Sequence, residues 1–279
     1  MKQTERLLGL HVRLKQDLFE VINFAQRLKV TAVQSFLINE DGKYVKLSSD
    51  VVSEFVHLKK KLACAYFVHA AYWSSLVNVK SKEFITLCEE AQFASNLHSD
   101  GIVIHVGATR VKLDKKDQVK YVAECVNTLI AKVSNVPLIL ENAPHAGRNF
   151  GGDITDFGLL YEQIDHKDRV KFCLDTAHAF VYGYDLKNQM KLDDFLKVIT
   201  EMIGKNNIAL LHLNDAPEPC GSYIDKHAVP GEGLLREQVL KQIMKNNLFV
   251  DSPIILELPS SSQEEELKIL QMIQHWDAV

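Results

Sequence analysis

Eight times along this chain a short, unbroken apolar run is followed by a longer stretch of helical periodicity, and that alternation decides the fold class. The runs occupy 7–12, 31–37, 63–69, 101–107, 136–142, 170–176, 208–215 and 253–259. They are continuous rather than alternating, as strands of a parallel sheet buried on both faces are. The intervening periodicity predicts helices over about 15–28, from about 49, and over about 81–97, 115–133, 155–164, 192–203, 232–244 and 262–275. A polar, turn-rich insert at 39–46 follows the second run. Eight β/α units in 279 residues read as an α/β protein, a (β/α)8 TIM barrel, more naturally than as an open sheet. No linker or composition break divides the chain, so a single domain over 1–279 is expected.

Composition narrows the setting. No apolar run approaches the ~20 residues of a membrane span. The opening residues lack the apolar core and small-residue cleavage site of a secretion signal. The five cysteines are odd in number and include no C-x-x-C pair, which fits free thiols in a reducing compartment. A cytoplasmic protein is therefore expected, nuclear or DNA-associated if it is not bacterial. A net charge of −4 does not advertise nucleic-acid binding, although a basic face can hide in such a total. Bound divalent cations would also offset acidic ligands locally.

The ends of the runs carry the chemistry. The third ends at His69, the fourth contains His105, and the fifth ends at Glu141. The sixth ends at Asp175, with His178 three residues on, and the seventh contains His212. The Pro/Gly/Ser loop after the seventh holds Asp225 and His227 in a D-x-H spacing, which in extended backbone points both side chains the same way. Glu257 lies in the eighth. In a barrel these ends converge on one face, where active sites are built. Taken singly, each is as well explained as a satisfied strand-end residue or a polar loop. Six consecutive strand ends are not, because imidazoles and carboxylates at that density repel or stay unsatisfied without cations. Five histidines and four carboxylates could hold two or three divalent ions, zinc by donor type, with Mn2+ or Fe2+ as alternatives. His11, ending the first run, is expected in a supporting place, and His145 along the cleft.

Such a cluster favours hydrolysis of a phosphate ester, since paired metals activate water and stabilise attacking and leaving oxygens. A sugar isomerase or epimerase also needs metal on this face, with fewer ligands and a proton- or hydride-transfer base. A DNA-binding barrel without activity is a third reading, which the intact ligand set argues against.

The blocks 140–147 (LENAPHAG), 173–185 (CLDTAHAFVYGYD), 212–233 (HLND, GSYIDKH and GEG) and 253–259 (PIILELP) resemble endonuclease IV, the zinc-dependent apurinic/apyrimidinic endonuclease family. The stretch 102–107 and His69 agree more weakly, and the likeness runs over nearly the whole chain. The resemblance implies a barrel with three zinc ions, with damaged duplex DNA as partner, no nucleotide cofactor, no membrane, and a monomer. It implies one zinc on His69, His105 and Glu141. Glu141 would be shared with a second on Asp175, His212 and Glu257, and a third would sit on His178, Asp225 and His227. It implies a cut 5′ to an abasic site, trimming of blocked 3′ ends, and catalytic roles for Glu141 and for Glu257, which would orient the nucleophile. Tyr72 and Trp73 would enter the minor groove at the lesion, and Arg110, Arg148 and Lys226 would meet phosphates. The chain departs from the family at His105-Val106-Gly107-Ala108, at Ala143-Pro144-His145, in the acidic 39–46 insert and at Tyr223, where arginine is frequent. None of these removes a ligand.

Overall fold

The computed structural model describes residues 6–76, 78–107, 113–145 and 150–278. Eight parallel strands close a barrel in chain order, β1 (Leu8–Leu14), β2 (Ala32–Asn39), β3 (Ala65–His69), β4 (Gly101–His105), β5 (Leu138–Glu141), β6 (Val170–Asp175), β7 (Ile208–His212) and β8 (Ile254–Leu256). The seam is made by Leu8, Gly9 and Leu10 of β1 pairing in parallel with Ile254, Ile255 and Leu256 of β8. The surrounding helices are α1 (Phe19–Leu28), α2 (Ser49–Leu62), α3 (Lys82–Asn96), α4 (Lys115–Lys132), α5 (Thr155–Tyr161), α6 (Thr176–Tyr182), α7 (Gln189–Met202), α8 (Arg236–Met244) and α9 (Gln263–Ala278). No described helix is long and apolar enough to cross a membrane.

One of these helices is absent from the periodicity. Residues 176–182 form α6 because the Asp175 carboxylate accepts the backbone N–H of His178 at 2.7 Å, an N-cap bond that starts a helix directly off the strand.

Two cores hold the barrel. The larger lies between strands and helices. The smaller fills the barrel itself with Ala32, Phe67, Val103, Ile139, Cys173, Leu210 and Ile255, one from each of seven strands. On the eighth strand Gly9 pairs in register with both Ala32 and Ile255. A Cβ there would lie 1.6 Å from the Ala32 carbonyl oxygen, so only glycine lets β1 and β2 approach this closely. This layer is a dry plug beneath the mouth of the barrel.

The opposite end is closed by Arg6. Its guanidinium donates to the carbonyls of Ser252 and Met244, each at 2.8 Å, and to that of Phe249. Arg6→Ala leaves three carbonyls without this donor. We expect a loss of roughly 2 kcal/mol, a fall in melting temperature of about 4–6 °C at this chain length, and no change at the mouth. Calorimetry checks the value.

Candidate metal centre

Side chains two apart on a strand share a face, so the residue two beyond each plug residue also points into the barrel. Counting up two from Gly9, Ala32, Phe67, Val103, Ile139, Cys173, Leu210 and Ile255 gives His11, Gln34, His69, His105, Glu141, Asp175, His212 and Glu257. All eight are polar. The apolar plug is capped by a complete ring of imidazoles, carboxylates and one amide. His178 joins from the first turn of α6, and Asp225 and His227 from the long loop between β7 and α8. All nine residues expected as ligands therefore come together.

Glu141 is the centre of the ring. It has no exposed surface. Its Oε2 lies 2.8 Å from His105 Nε2 and 3.2 Å from His69 Nε2, and its Oε1 lies 2.8 Å from His212 Nδ1. Burial alone would raise its carboxyl, but the charges of His212 and His105 and their hydrogen bonds hold it well below the usual carboxylate range. Burial likewise opposes charge on His178, yet Asp175, Asp225 and Glu141 outweigh it and push this imidazole up to about 10. Asp225 answers: burial would raise it, and its bond to His178 brings it down to about 2. Carboxylates buried this deeply, such as Glu141 and Asp175, need positive charge nearby.

The donors fit a metal as the source of that charge. Ligating histidines present one ring nitrogen to the ion and donate the other N–H to a fixed acceptor. Four histidines here do so. Nδ1 of His69 donates to the Ala70 carbonyl at 2.8 Å, and Nδ1 of His178 to the Asn142 carbonyl at 2.9 Å. Nε2 of His212 donates to Gln34 Oε1 at 3.0 Å, and Nδ1 of His227 to the Glu257 carbonyl at 3.2 Å. The Nε2 of His227 is buried with no hydrogen-bond partner, as a nitrogen reserved for an ion would be. Compact donor groups are formed by His69, His105 and Glu141; by Glu141, Asp175, His212 and Glu257; and by Asp175, His178 and His227. The third group runs through Asp175 where the family resemblance implies Asp225. Asp225 stands beside it, its Oδ1 3.2 Å from His178 Nε2 and 3.8 Å from His227 Nε2.

Gln34 escaped sequence reasoning because an amide is not a usual ligand. It is fully buried and donates to Glu257 Oε1 at 2.7 Å while accepting from His212. The signal that finds it is its register, two residues past Ala32. His11 takes the supporting place expected of it, its Nδ1 3.1 Å from Glu257 Oε1.

The centre lies at the bottom of a cavity of about 540 Å³, bordered by Phe36, Tyr72, Arg13 and Lys226. The two rim aromatics differ in exposure. Tyr72 is 73% exposed, its ring 4.9 Å from Phe36, which in turn packs on His69. Trp73 is 44% exposed. Tyr72 is the more exposed of the two. Lys226 is paired with Glu218 at 2.9 Å. Arg13, on the cavity wall, went unnoticed in the sequence because it falls just past the first apolar run, with no motif around it. Arg110 and Arg148 lie outside the described residues. His145 reaches across the mouth to the Tyr223 carbonyl at 3.0 Å.

A closed parallel barrel with nitrogen and oxygen donors ringed at its strand C-termini defines a TIM barrel with a candidate metal centre. The profile of the xylose isomerase-like TIM-barrel family matches residues 22–279, and the chain belongs to that family. Within it, the similarity runs to endonuclease IV. A probable endonuclease 4 of Halothermothrix orenii is 28% identical over 96% of this chain and 99% of its own length. An apurinic-apyrimidinic endonuclease of Caenorhabditis elegans is 26% identical over 96% of this chain and 69% of its own. The crystal structure of endonuclease IV from Thermus thermophilus superposes with a TM-score of 0.83 at 23% identity, covering 97% of this chain and 98% of that one.

Proposed function

We propose that this protein is a metal-dependent DNA-repair endonuclease that hydrolyses the phosphodiester 5′ to an abasic site in duplex DNA and clears blocked 3′ ends. The observation that carries the reading is the ring itself: imidazole and carboxylate donors gathered around Glu141, under an exposed aromatic rim. The similarity to proteins named as endonuclease 4 and as an apurinic-apyrimidinic endonuclease supports the same substrate.

Three zinc ions suit the donors, with Mn2+ or Fe2+ as alternatives. His69, His105 and Glu141 would hold one; Glu141, Asp175, His212 and Glu257 a second; and His178, Asp225 and His227 a third, with Asp175 close by. Bound there, the metals supply an acidified water and charge to stabilise the leaving oxygen. The remaining work falls to the chain. Glu257 is held at Oε1 by Gln34 and His11, which leaves Oε2 to orient the attacking water. Arg13 and Lys226 at the cavity border meet the flanking phosphates. Tyr72 fills the gap in the base stack at the lesion, where a missing base makes extrusion of the nucleotide cheap. The protein acts as a monomer.

EDTA or 1,10-phenanthroline is expected to abolish incision of abasic duplex, and added zinc to restore it. Chelator-resistant incision, or turnover of a free ketose with no DNA nicking, would overturn the reading, the latter in favour of an isomerase. For the rim, Tyr72→Ala should weaken binding of an abasic duplex on the order of tenfold, since a stacked ring contributes ~1–3 kcal/mol per base. Trp73→Phe should cost less than about threefold by the same fluorescence titration, an order the reverse of which contradicts the assignment.

A further inference from the structure

Glu90 belongs to no part of the site described so far. It lies on α3, outside the barrel, and is 1% exposed. A carboxylate buried among helix and strand is costly unless donors surround it. Here every partner is a donor. The backbone N–H of Ala71 lies 3.2 and 3.3 Å from its two oxygens, the Ser74 hydroxyl 2.6 Å from Oε2, and the Tyr44 hydroxyl 3.1 Å from Oε1. Burial pushes the Glu90 carboxyl up, and the bonds from Ser74, Ala71 and Tyr44 draw it back towards the ionised form.

What these donors belong to gives the group its role. Ala71 N–H and the Ala70 carbonyl are the two ends of one planar peptide unit. That carbonyl accepts the Nδ1–H of His69 at 2.8 Å, which leaves His69 Nε2 facing Glu141. Glu90 therefore holds, through one peptide, the acceptor that fixes the tautomer and ring orientation of an expected metal ligand. Hydrogen bonds in series of this kind polarise one another. The other two donors serve the rim. Ser74 N–H bonds to the Ala71 carbonyl at 2.8 Å, so residues 71–74 form a tight turn with Tyr72 and Trp73 at its centre. Glu90 grips both ends of that turn. Tyr44, the third donor, ties Glu90 to the insert after β2 as well.

We propose that Glu90 is a positioning residue that sets His69 for metal binding and the Tyr72–Trp73 turn for the lesion at the same time. Its part in lesion binding rests on the abasic-endonuclease reading; its part in the metal centre does not.

The test is Glu90→Gln, which keeps size and removes charge, with Ser74→Ala as a second variant that loosens only the turn. Zinc affinity is measured by competition with a chromophoric chelator. Trp73 is followed by acrylamide quenching, with Trp73→Phe as the blank. Binding of a tetrahydrofuran-containing duplex is measured by anisotropy. For Glu90→Gln we expect zinc affinity at the weakest site to fall about 10–100-fold, Trp73 to become more quenchable, and duplex binding to weaken at least tenfold. Ser74→Ala should change quenching and duplex binding while leaving zinc affinity within twofold. Ser74→Ala keeps the proposal open to refutation if Glu90→Gln does not fold: unchanged quenching and duplex binding in Ser74→Ala overturn the grip on the turn. Zinc affinity and quenching of folded Glu90→Gln both within twofold of wild type, with only a lower melting temperature, overturn the proposal. A wild-type protein that neither binds nor nicks the duplex overturns the endonuclease reading instead, and the zinc readout still decides the role of Glu90 at His69.

Discussion

Glu141→Gln is expected to incise abasic duplex on the order of a thousandfold more slowly than wild type and to bind less zinc. Among the described residues Glu141 is the one carboxylate that touches four histidines: His105, His212, His69 and, at 3.4 Å, His178. The substitution keeps the shape and removes the charge at the centre of the ring. Losing metal charge at the reacting centre forfeits several kcal/mol of transition-state stabilisation, and each ~1.4 kcal/mol is tenfold in rate. The loss should appear in kcat rather than in duplex affinity, because Tyr72, Arg13 and Lys226 at the cavity border are untouched. Single-turnover incision and zinc content by elemental analysis check it. A variant with full zinc and more than a tenth of wild-type rate contradicts the place given to Glu141.

The second large effect lies away from the ring. Asp215 is completely buried, and its carboxylate accepts five backbone N–H groups, from Ala216, Gly231, Gly233, Leu235 and Arg236, at 2.8–3.1 Å. Its own carbonyl accepts Ala228 N–H at 2.8 Å. The loop between β7 and α8 is thus folded around one side chain, and that loop brings Asp225 and His227 to the centre. Gly233 is part of the same fitting, since a Cβ there would lie 2.4 Å from Asp215 Oδ1. Asp215→Ala should cost roughly 3–5 kcal/mol, because several buried donors are left unpaired together. At this chain length that is a fall of about 6–12 °C in melting temperature. Zinc at the Asp225–His227 end should be lost with it. Calorimetry and zinc stoichiometry measure both; a variant that melts as wild type with full zinc refutes the role.

The barrel was legible because its strands are continuous apolar runs, which is how strands buried on both faces must read. The same property hid one member of the ring. With both faces apolar, the sequence does not say which alternate residue points inward, and only the paired register separates Ala32–Gln34 from Val33–Ser35. His69, His105, Glu141, Asp175, His212 and Glu257 were found by their chemistry at strand ends. Gln34 has the same register and no such chemistry, so it was passed over. Asp225 and His227 are visible as a spacing in a loop, whereas nothing in the sequence marks Asp215 as the residue that builds that loop. Tyr72 and Trp73 are adjacent and alike in sequence; only the fold leaves the tyrosine the more exposed of the two. Glu90 is indistinguishable from any helical glutamate until α3 is packed against the turn at 71–74.

Incision of a duplex carrying a single tetrahydrofuran abasic analogue, by zinc-loaded protein at low salt with both product ends mapped, is the most direct measurement of the proposed activity. The analogue cannot undergo β-elimination, so any cut is hydrolysis, and low salt preserves phosphate contacts. The expected result is one chelator-sensitive cut immediately 5′ to the analogue, leaving a 3′ hydroxyl and a 5′ sugar phosphate. An intact duplex with folded, zinc-loaded protein contradicts the proposed function.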